Sequence, residues 1–238
     1  ILAVILGVPQ LVIGLTVVSL GTSAPEFFVS ISSVLKGADA LAVSNVVGSN
    51  IFNVLVVLGC SALVLPLKVE SRLVRRDVPL LLAVSAAAWG MASAGRVTWQ
   101  SGVALLLALV INTVWDIRTA REEPEEMEPA EPEIDLGTAK QGWIKAMIRL
   151  VVGIVVLVFG SQLLGKGASA VALSLGVSEA VIGLTIVSAG TSLPELVTSL
   201  VAALRGRTDL AIGNVVGSCL LNLLLVLAGG ALAAGARG

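Results

Sequence analysis

Two glutamates, Glu26 and Glu195, each follow a proline inside an apolar run, in "VVSLGTSAPEF" (17–27) and "IVSAGTSLPEL" (186–196). A charged group at the centre of a bilayer costs at least ~2.5–3.5 kcal/mol, so such a residue is retained for a purpose. No Lys or Arg stands deep in either run to neutralise it. If the two carboxylates meet, they repel each other, and burial penalises their charge further. A divalent cation relieves both costs. Hard oxygen donors suit Ca2+, which takes ~6–8 of them from carboxylates, carbonyls, hydroxyls and water. Soft-metal chemistry lacks Cys or His ligands in the motif. More oxygens stand alongside. Pro25 has no N–H and obstructs the carbonyl four residues back, so a helix breaks or kinks there and the Gly21 carbonyl loses its partner. "GTSAPE" therefore offers backbone oxygens around Ser19 to Thr22, the hydroxyls of Thr22 and Ser23, and Glu26. "GTSLPE" offers the same from Ser188 to Ser192, with Thr191 and Glu195.

A polar stripe follows each motif. Asn45, Ser49 and Asn53 are spaced i, i+4, i+8, and so share one helical face; Asn214, Ser218 and Asn222 repeat it. Gly48 and Gly217 suit close helix approach. Interhelical hydrogen bonding is a serious competing role for these amides, above all for Asn45 and Asn214. The duplication extends well beyond the motifs. Residues 12–59 align without a gap on 181–228 at a constant offset of 169, with about 26 of 48 positions identical. Shared apolar composition does not account for aligned Gly, Pro, Glu and Asn.

The elements that must position these residues are membrane helices. The chain of 238 residues is 56% hydrophobic and only 13% charged, and its mean hydropathy is +1.00; soluble domains carry about a quarter charged residues. Seven apolar segments are expected, at about 9–35, 41–66, 78–95, 100–116, 143–165, 178–204 and 210–234. The first ten residues read as the tail of an earlier helix. Residues 117–142 form an acidic, proline-rich linker without the apolar content for a core, expected to be a flexible loop. It divides a first half (1–116) from a second (143–238). Five crossings separate the two motif starts. The copies therefore enter from opposite faces as inverted repeats, an architecture that in transporters places the substrate near mid-membrane. About eleven Lys and Arg fall on the linker's side against four on the other, which makes that side cytoplasmic.

Several functions are disfavoured by composition. There is no histidine, hence no His relay or Ser-His catalysis. No basic patch with aromatics supports nucleic-acid binding. Cys60 and Cys219 have no metal-ligand spacing and read as small buried side chains. No enzyme activity and no resident cofactor are expected.

The paired "GTSAPEFFVS…SNVVGSNIFN" and "GTSLPELVTS…GNVVGSCLLN" resemble the α-repeats of the sodium/calcium exchanger family, within the cation/Ca2+ antiporter superfamily. The resemblance implies an all-α polytopic fold of about ten helices in two inverted halves, of which roughly 7–8 would be present here. Most of the first helix and the last two would be lacking. It implies an antiporter in the cell (inner) membrane, working by alternating access, with Ca2+ and Na+ as partners; H+ or K+ coupling and a cation channel are the alternatives. Carried over by position, Glu26 and Glu195 would ligate Ca2+ with backbone oxygens of Thr22 and Thr191. Ser19, Ser23, Ser49, Ser188, Ser192 and Ser218 would complete flanking Na+ sites, and Asn53 and Asn222 would line the centre. Many such exchangers carry an aspartate where Asn222 stands, so one titratable central group is missing here.

Overall fold

The computed structural model describes residue 12 and residues 14–94, 97–122, 136–177 and 179–236. Residues 1–10, read above as a helix tail, lie outside the described residues, as do 123–135 of the linker. Among the described residues every regular element is a helix.

The first repeat is α1 (Gly14–Thr22), α2 (Ala24–Leu35) and α3 (Asp39–Val64). Then come α4 (Val78–Ser93), α5 (Trp99–Glu122) and α6 (Leu136–Ser174). The second repeat is α7 (Thr185–Thr191), α8 (Leu193–Leu204) and α9 (Thr208–Ala236). By length and composition α3, α5 and α9 can each cross a membrane, and the pairs α1–α2 and α7–α8 add two bent spans. The protein is an integral, multi-pass membrane protein.

Two boundaries differ from expectation. Helix α5 runs on to Glu122 and α6 begins at Leu136, so both described ends of the 117–142 linker are helical. Good helix formers such as Ala, Glu, Lys and Arg carry each helix past its apolar stretch. At 39 residues, α6 spans about 58 Å at 1.5 Å per residue. That is far more than a hydrocarbon core; among the described residues it carries the apolar stretch Ile148–Gly160.

Proline sets the two breaks. Pro25 and Pro194 sit in the first turn of α2 and α8, the position where a missing N–H is tolerated. The bends are 50° and 48°. They are tighter than an unwound stretch: only Ser23 (φ −81°, ψ 5°) and Ser192 (φ −88°, ψ 7°) leave helical geometry. The Ser19 carbonyl, expected to be free, accepts the Ser23 N–H at 2.9 Å, and Ser188 accepts Ser192 at 3.1 Å. After α2 and α8 the chain reverses through Gly37 (φ 79°) and Gly206 (φ 75°), a left-handed conformation natural to glycine. Paired bonds from Gly37 to Val34 and from Ala38 to Ser33, both 2.9 Å, close the first helix end; Gly206 and Arg207 repeat them.

The repeats interlock. Helix α1 packs on α9 of the other repeat, and α7 packs on α3. A Cβ added to Gly217 would lie 2.5 Å from the Leu15 carbonyl, and one on Gly14 would lie 2.9 Å from that of Leu210. The α1–α9 crossing is therefore backbone against backbone. Helix α9 is the centre of the molecule, with 78% of its apolar window buried against 33% for α3. Leu220, Leu223, Leu224 and Leu227 of α9 join Leu73, Val84 and Leu105 in the main core. Leu55 and Leu63 of α3, by contrast, are exposed.

Just before α4 a partly buried charge cluster ties the chain to α5. Arg72 and Arg76 both pair with Asp116, the former at 2.8 Å, and Asn112 Nδ2 donates to the second Asp116 oxygen at 2.9 Å.

Candidate cation site

All twelve positions singled out from the sequence are buried: Ser19, Thr22, Ser23, Glu26, Ser49 and Asn53, with Ser188, Thr191, Ser192, Glu195, Ser218 and Asn222. The bends bring the two glutamates into one constellation, because each break lends its serine to the other repeat's carboxylate. Ser192 Oγ donates to Glu26 Oε1 at 2.8 Å. Ser23 Oγ donates to Glu195 Oε1 at 3.1 Å. Both glutamates are wholly buried, and Oε2 of each has no partner. Among the described residues no Lys or Arg pairs with either.

Around this pair the expected stripes divide into two groups. Asn45 and Asn214 act as interhelical ties. Asn45 Nδ2 donates to the Glu26 carbonyl at 3.3 Å and to Ser30 Oγ at 3.0 Å. Asn214 does the same for the Glu195 carbonyl (3.3 Å) and Ser199 Oγ (2.9 Å). Their oxygens accept from the opposite repeat, Thr191 Oγ1 on Asn45 at 3.4 Å and Thr22 Oγ1 on Asn214 at 3.3 Å. Each glutamate backbone is thereby fastened to the following helix and, through a threonine, to the other repeat. Ser19 belongs with these ties: its hydroxyl donates to the carbonyls of Gly14 and Asn214, at 2.5 and 3.0 Å.

The second group has unused polar atoms. Ser218 Oγ, both side-chain polar atoms of Asn53 and Asn222 Oδ1 are buried without partners. Buried polar atoms are nearly always satisfied, so a cluster of exceptions calls for an explanation. Ser49 differs from its counterpart Ser218, since its hydroxyl lies 3.4 Å from Thr191 Oγ1. Among the described residues no three His, Cys, Asp or Glu come together. Two carboxylates with neutral hydroxyl, amide and carbonyl oxygens form a donor set for hard cations.

Two features were not read from the sequence. Four π turns recur at the same 169-residue offset, Gly14–Val18 with Gly183–Val187 and Asn53–Val57 with Asn222–Val226. Asn53 and Asn222 each open one. Wider turns of this kind are rare and concentrate at functional sites; hydrophobic periodicity does not register a single extra residue per turn. The other is Asn50, bonded to both Cys219 and Asn222 of the opposite repeat. Its signal was a mismatch: "GSNIFN" aligns with "GSCLLN", so the repeats differ where an amide faces a thiol.

The family model for the sodium/calcium exchanger protein matches residues 1–118 and 145–237, both repeats included. The chain belongs to the sodium/calcium exchanger family. The inner membrane protein YrbG of Escherichia coli is 35% identical over 223 residues, covering 93% of this chain and 69% of that one. The sodium/calcium exchanger MaX1 of Methanosarcina acetivorans is 35% identical over 116 residues, 49% of this chain and 28% of that one. A solved structure of the sodium-calcium exchanger NCX_Mj, soaked with Na+, superposes with a TM-score of 0.78 at 35% identity, covering 97% of this chain and 74% of the other. The all-α, inverted-repeat exchanger fold is thus shared, and as a family member the chain is a transporter of cations by exchange, not an enzyme.

Proposed function

We propose that this exchanger moves Ca2+ against Na+ by alternating access, with Glu26 and Glu195 as the shared cation site. The observation that carries the proposal is the pair of unpartnered Oε2 atoms on two wholly buried glutamates, in a pocket where each Oε1 is held by the opposite repeat. Two uncompensated buried carboxylates are costly. One Ca2+ neutralises both, with Ser218, Asn53 and Asn222 contributing the remaining unused polar atoms; monovalent ions neutralise them one by one. The two loads exclude each other, because either removes the charge that attracts the other. An unloaded site resists the switch, because bare carboxylates would have to pass a low-dielectric constriction. Exchange rather than leak follows. The flanking serines favour Na+ as counter-ion over H+, since they supply neutral oxygens, while the missing aspartate at Asn222 weakens that preference.

The protein, reconstituted in vesicles loaded with Na+ and diluted into Na+-free medium, is expected to take up radioactive Ca2+ with internal and external pH clamped. Uptake driven only by a pH gradient would assign H+ as the counter-ion. Current without countertransport would identify a channel. The Lys/Arg asymmetry of its connections supports a cytoplasmic linker, and the family resemblance supports the cell (inner) membrane. A protease site inserted within 123–135 should therefore be cleaved from the cytoplasmic side alone.

A further inference from the structure

An amide can face a cation with its oxygen or, turned over, with its N–H groups, and only the first attracts it. Asn53 and Asn222 occupy the same place in the two repeats, yet their surroundings differ in this respect. Asn222 Nδ2 donates to Asn50 Oδ1 at 3.0 Å. Asn50 is itself held, because its Nδ2 donates to the main-chain carbonyl of Cys219 at 3.2 Å. That carbonyl can only accept. Turning Asn50 over would set its oxygen against the Cys219 carbonyl and its N–H2 against that of Asn222. The orientation therefore runs one way, from backbone carbonyl to Asn50 to Asn222, and it leaves Asn222 Oδ1 as the atom without a partner in a fully buried position.

The other half has no such chain. The position equivalent to Asn50 is Cys219, whose thiol lies 4.0 Å from the Asn50 carbonyl and is a weak donor and acceptor. Asn53 makes no close hydrogen bond and has only the Cys219 thiol as a weak side-chain partner. The π turn opened by Asn222 packs on α2, which carries Glu26; the π turn opened by Asn53 packs on α8, which carries Glu195. Each amide thus lies beside one of the two carboxylate-bearing helices.

We infer that Asn50 is a positioning residue: across the repeat interface it locks the Asn222 amide with its oxygen available to the transported cation, while Cys219, a weaker partner, holds the equivalent amide of Asn53 less firmly. The cation site is consequently asymmetric, with one amide held firmly by an amide and one held loosely by a thiol. This rests on the proposed Ca2+ site and adds to it a residue that touches no ion. Its effect is on affinity. An unlocked Asn222 spends part of its time with N–H groups toward the cation, so cation binding weakens while the conformational switch is left alone.

The test is a double-mutant cycle on the whole protein, read by Ca2+ uptake and by Ca2+ binding calorimetry in detergent. Asn50→Ala is expected to raise the half-saturating Ca2+ concentration roughly fivefold, the scale of one hydrogen bond, with the maximal rate within about twofold. In an Asn222→Ala background the same change is expected to do nothing further, since the amide it orients is gone. Equal losses in both backgrounds would make Asn50 a packing residue only and overturn the inference, as would no loss in either. Cys219→Asn is an independent arm that does not depend on Asn50→Ala folding. It gives Asn53 a stronger acceptor than the thiol and is expected to lower the half-saturating concentration; a rise or no change counts against the asymmetry. Wild-type protein that neither binds nor moves Ca2+ would overturn the proposed function and this inference together, whereas an active wild type with additive variants overturns this inference alone.

Discussion

Glu26 and Glu195 are two buried acids that no Lys or Arg among the described residues neutralises, which separates their effect on stability from their proposed role in transport. Removing the charge should relieve the folded state while disabling the site. Glu26→Gln and Glu195→Gln are each expected to keep or raise the unfolding temperature in detergent, yet to lose Ca2+ uptake. Loss of uptake together with a collapse in stability would instead mark the carboxylates as structural. The serines act one step away. Ser23→Ala and Ser192→Ala each delete one hydrogen bond to a carboxylate of the opposite repeat, a kind of bond worth about 1.5–3 kcal/mol. Each should weaken cation binding by roughly tenfold or more, and each should do so through the other repeat's glutamate. Calorimetric titration of each serine variant, alone and combined with the partner's Glu→Gln, checks this: the serine change should cost nothing further once its glutamate is neutral. At this scale the sequence was most legible. An acid in an apolar run is visible without any structure, and so is its duplicate. The serine exchange between repeats was not, because a spacing along the chain carries no information about which side chain crosses to the other copy.

Each helix break is a joint between two packed helices, and its rigidity comes from small residues and amide ties. Proline marks the breaks in the sequence unambiguously, since its missing N–H and fixed ring have one consequence in a helix. What sequence could not reveal was their tightness: Ser23 and Ser192 alone leave the helix, because the Ser19 and Ser188 carbonyls keep their amide partners. Asn45 and Asn214 were open between ligand and tie, and the geometry makes them ties, holding the carbonyls of Glu26 and Glu195. Asn214→Leu should accordingly lower stability more than it lowers cation affinity in the fraction that folds, a difference that thermal unfolding and binding calorimetry measured side by side will reveal. Gly217 has a different role. With a Cβ only 2.5 Å from a backbone carbonyl, no side-chain rearrangement makes room, and Gly217→Ala should cost about 1–3 kcal/mol or more as α1 is forced from α9. Gly153, with open space around its Cβ position, should tolerate alanine, and comparing the two unfolding temperatures separates packing from helix propensity.

The whole molecule is two copies of one design that complete each other. Neither repeat holds a full site, for the serine that steadies Glu26 belongs to the second and the one that steadies Glu195 to the first. Gapless alignment made the pairing of repeats readable in advance, and an odd number of crossings made their inversion readable too. That α4 and α5 pack on α9 was not, since hydropathy along a helix does not say which neighbours cover it. Interlocking also bears on mechanism, because a load that neutralises both carboxylates stabilises both halves at once. The most direct test of this shared site is Ca2+ uptake driven by an outward Na+ gradient at clamped pH, measured for wild type, Glu26→Gln and Glu195→Gln. Saturable uptake by the wild type, abolished by Na+ on both sides and by either substitution, is the expected result. Normal uptake by either single variant would contradict a site that needs both repeats.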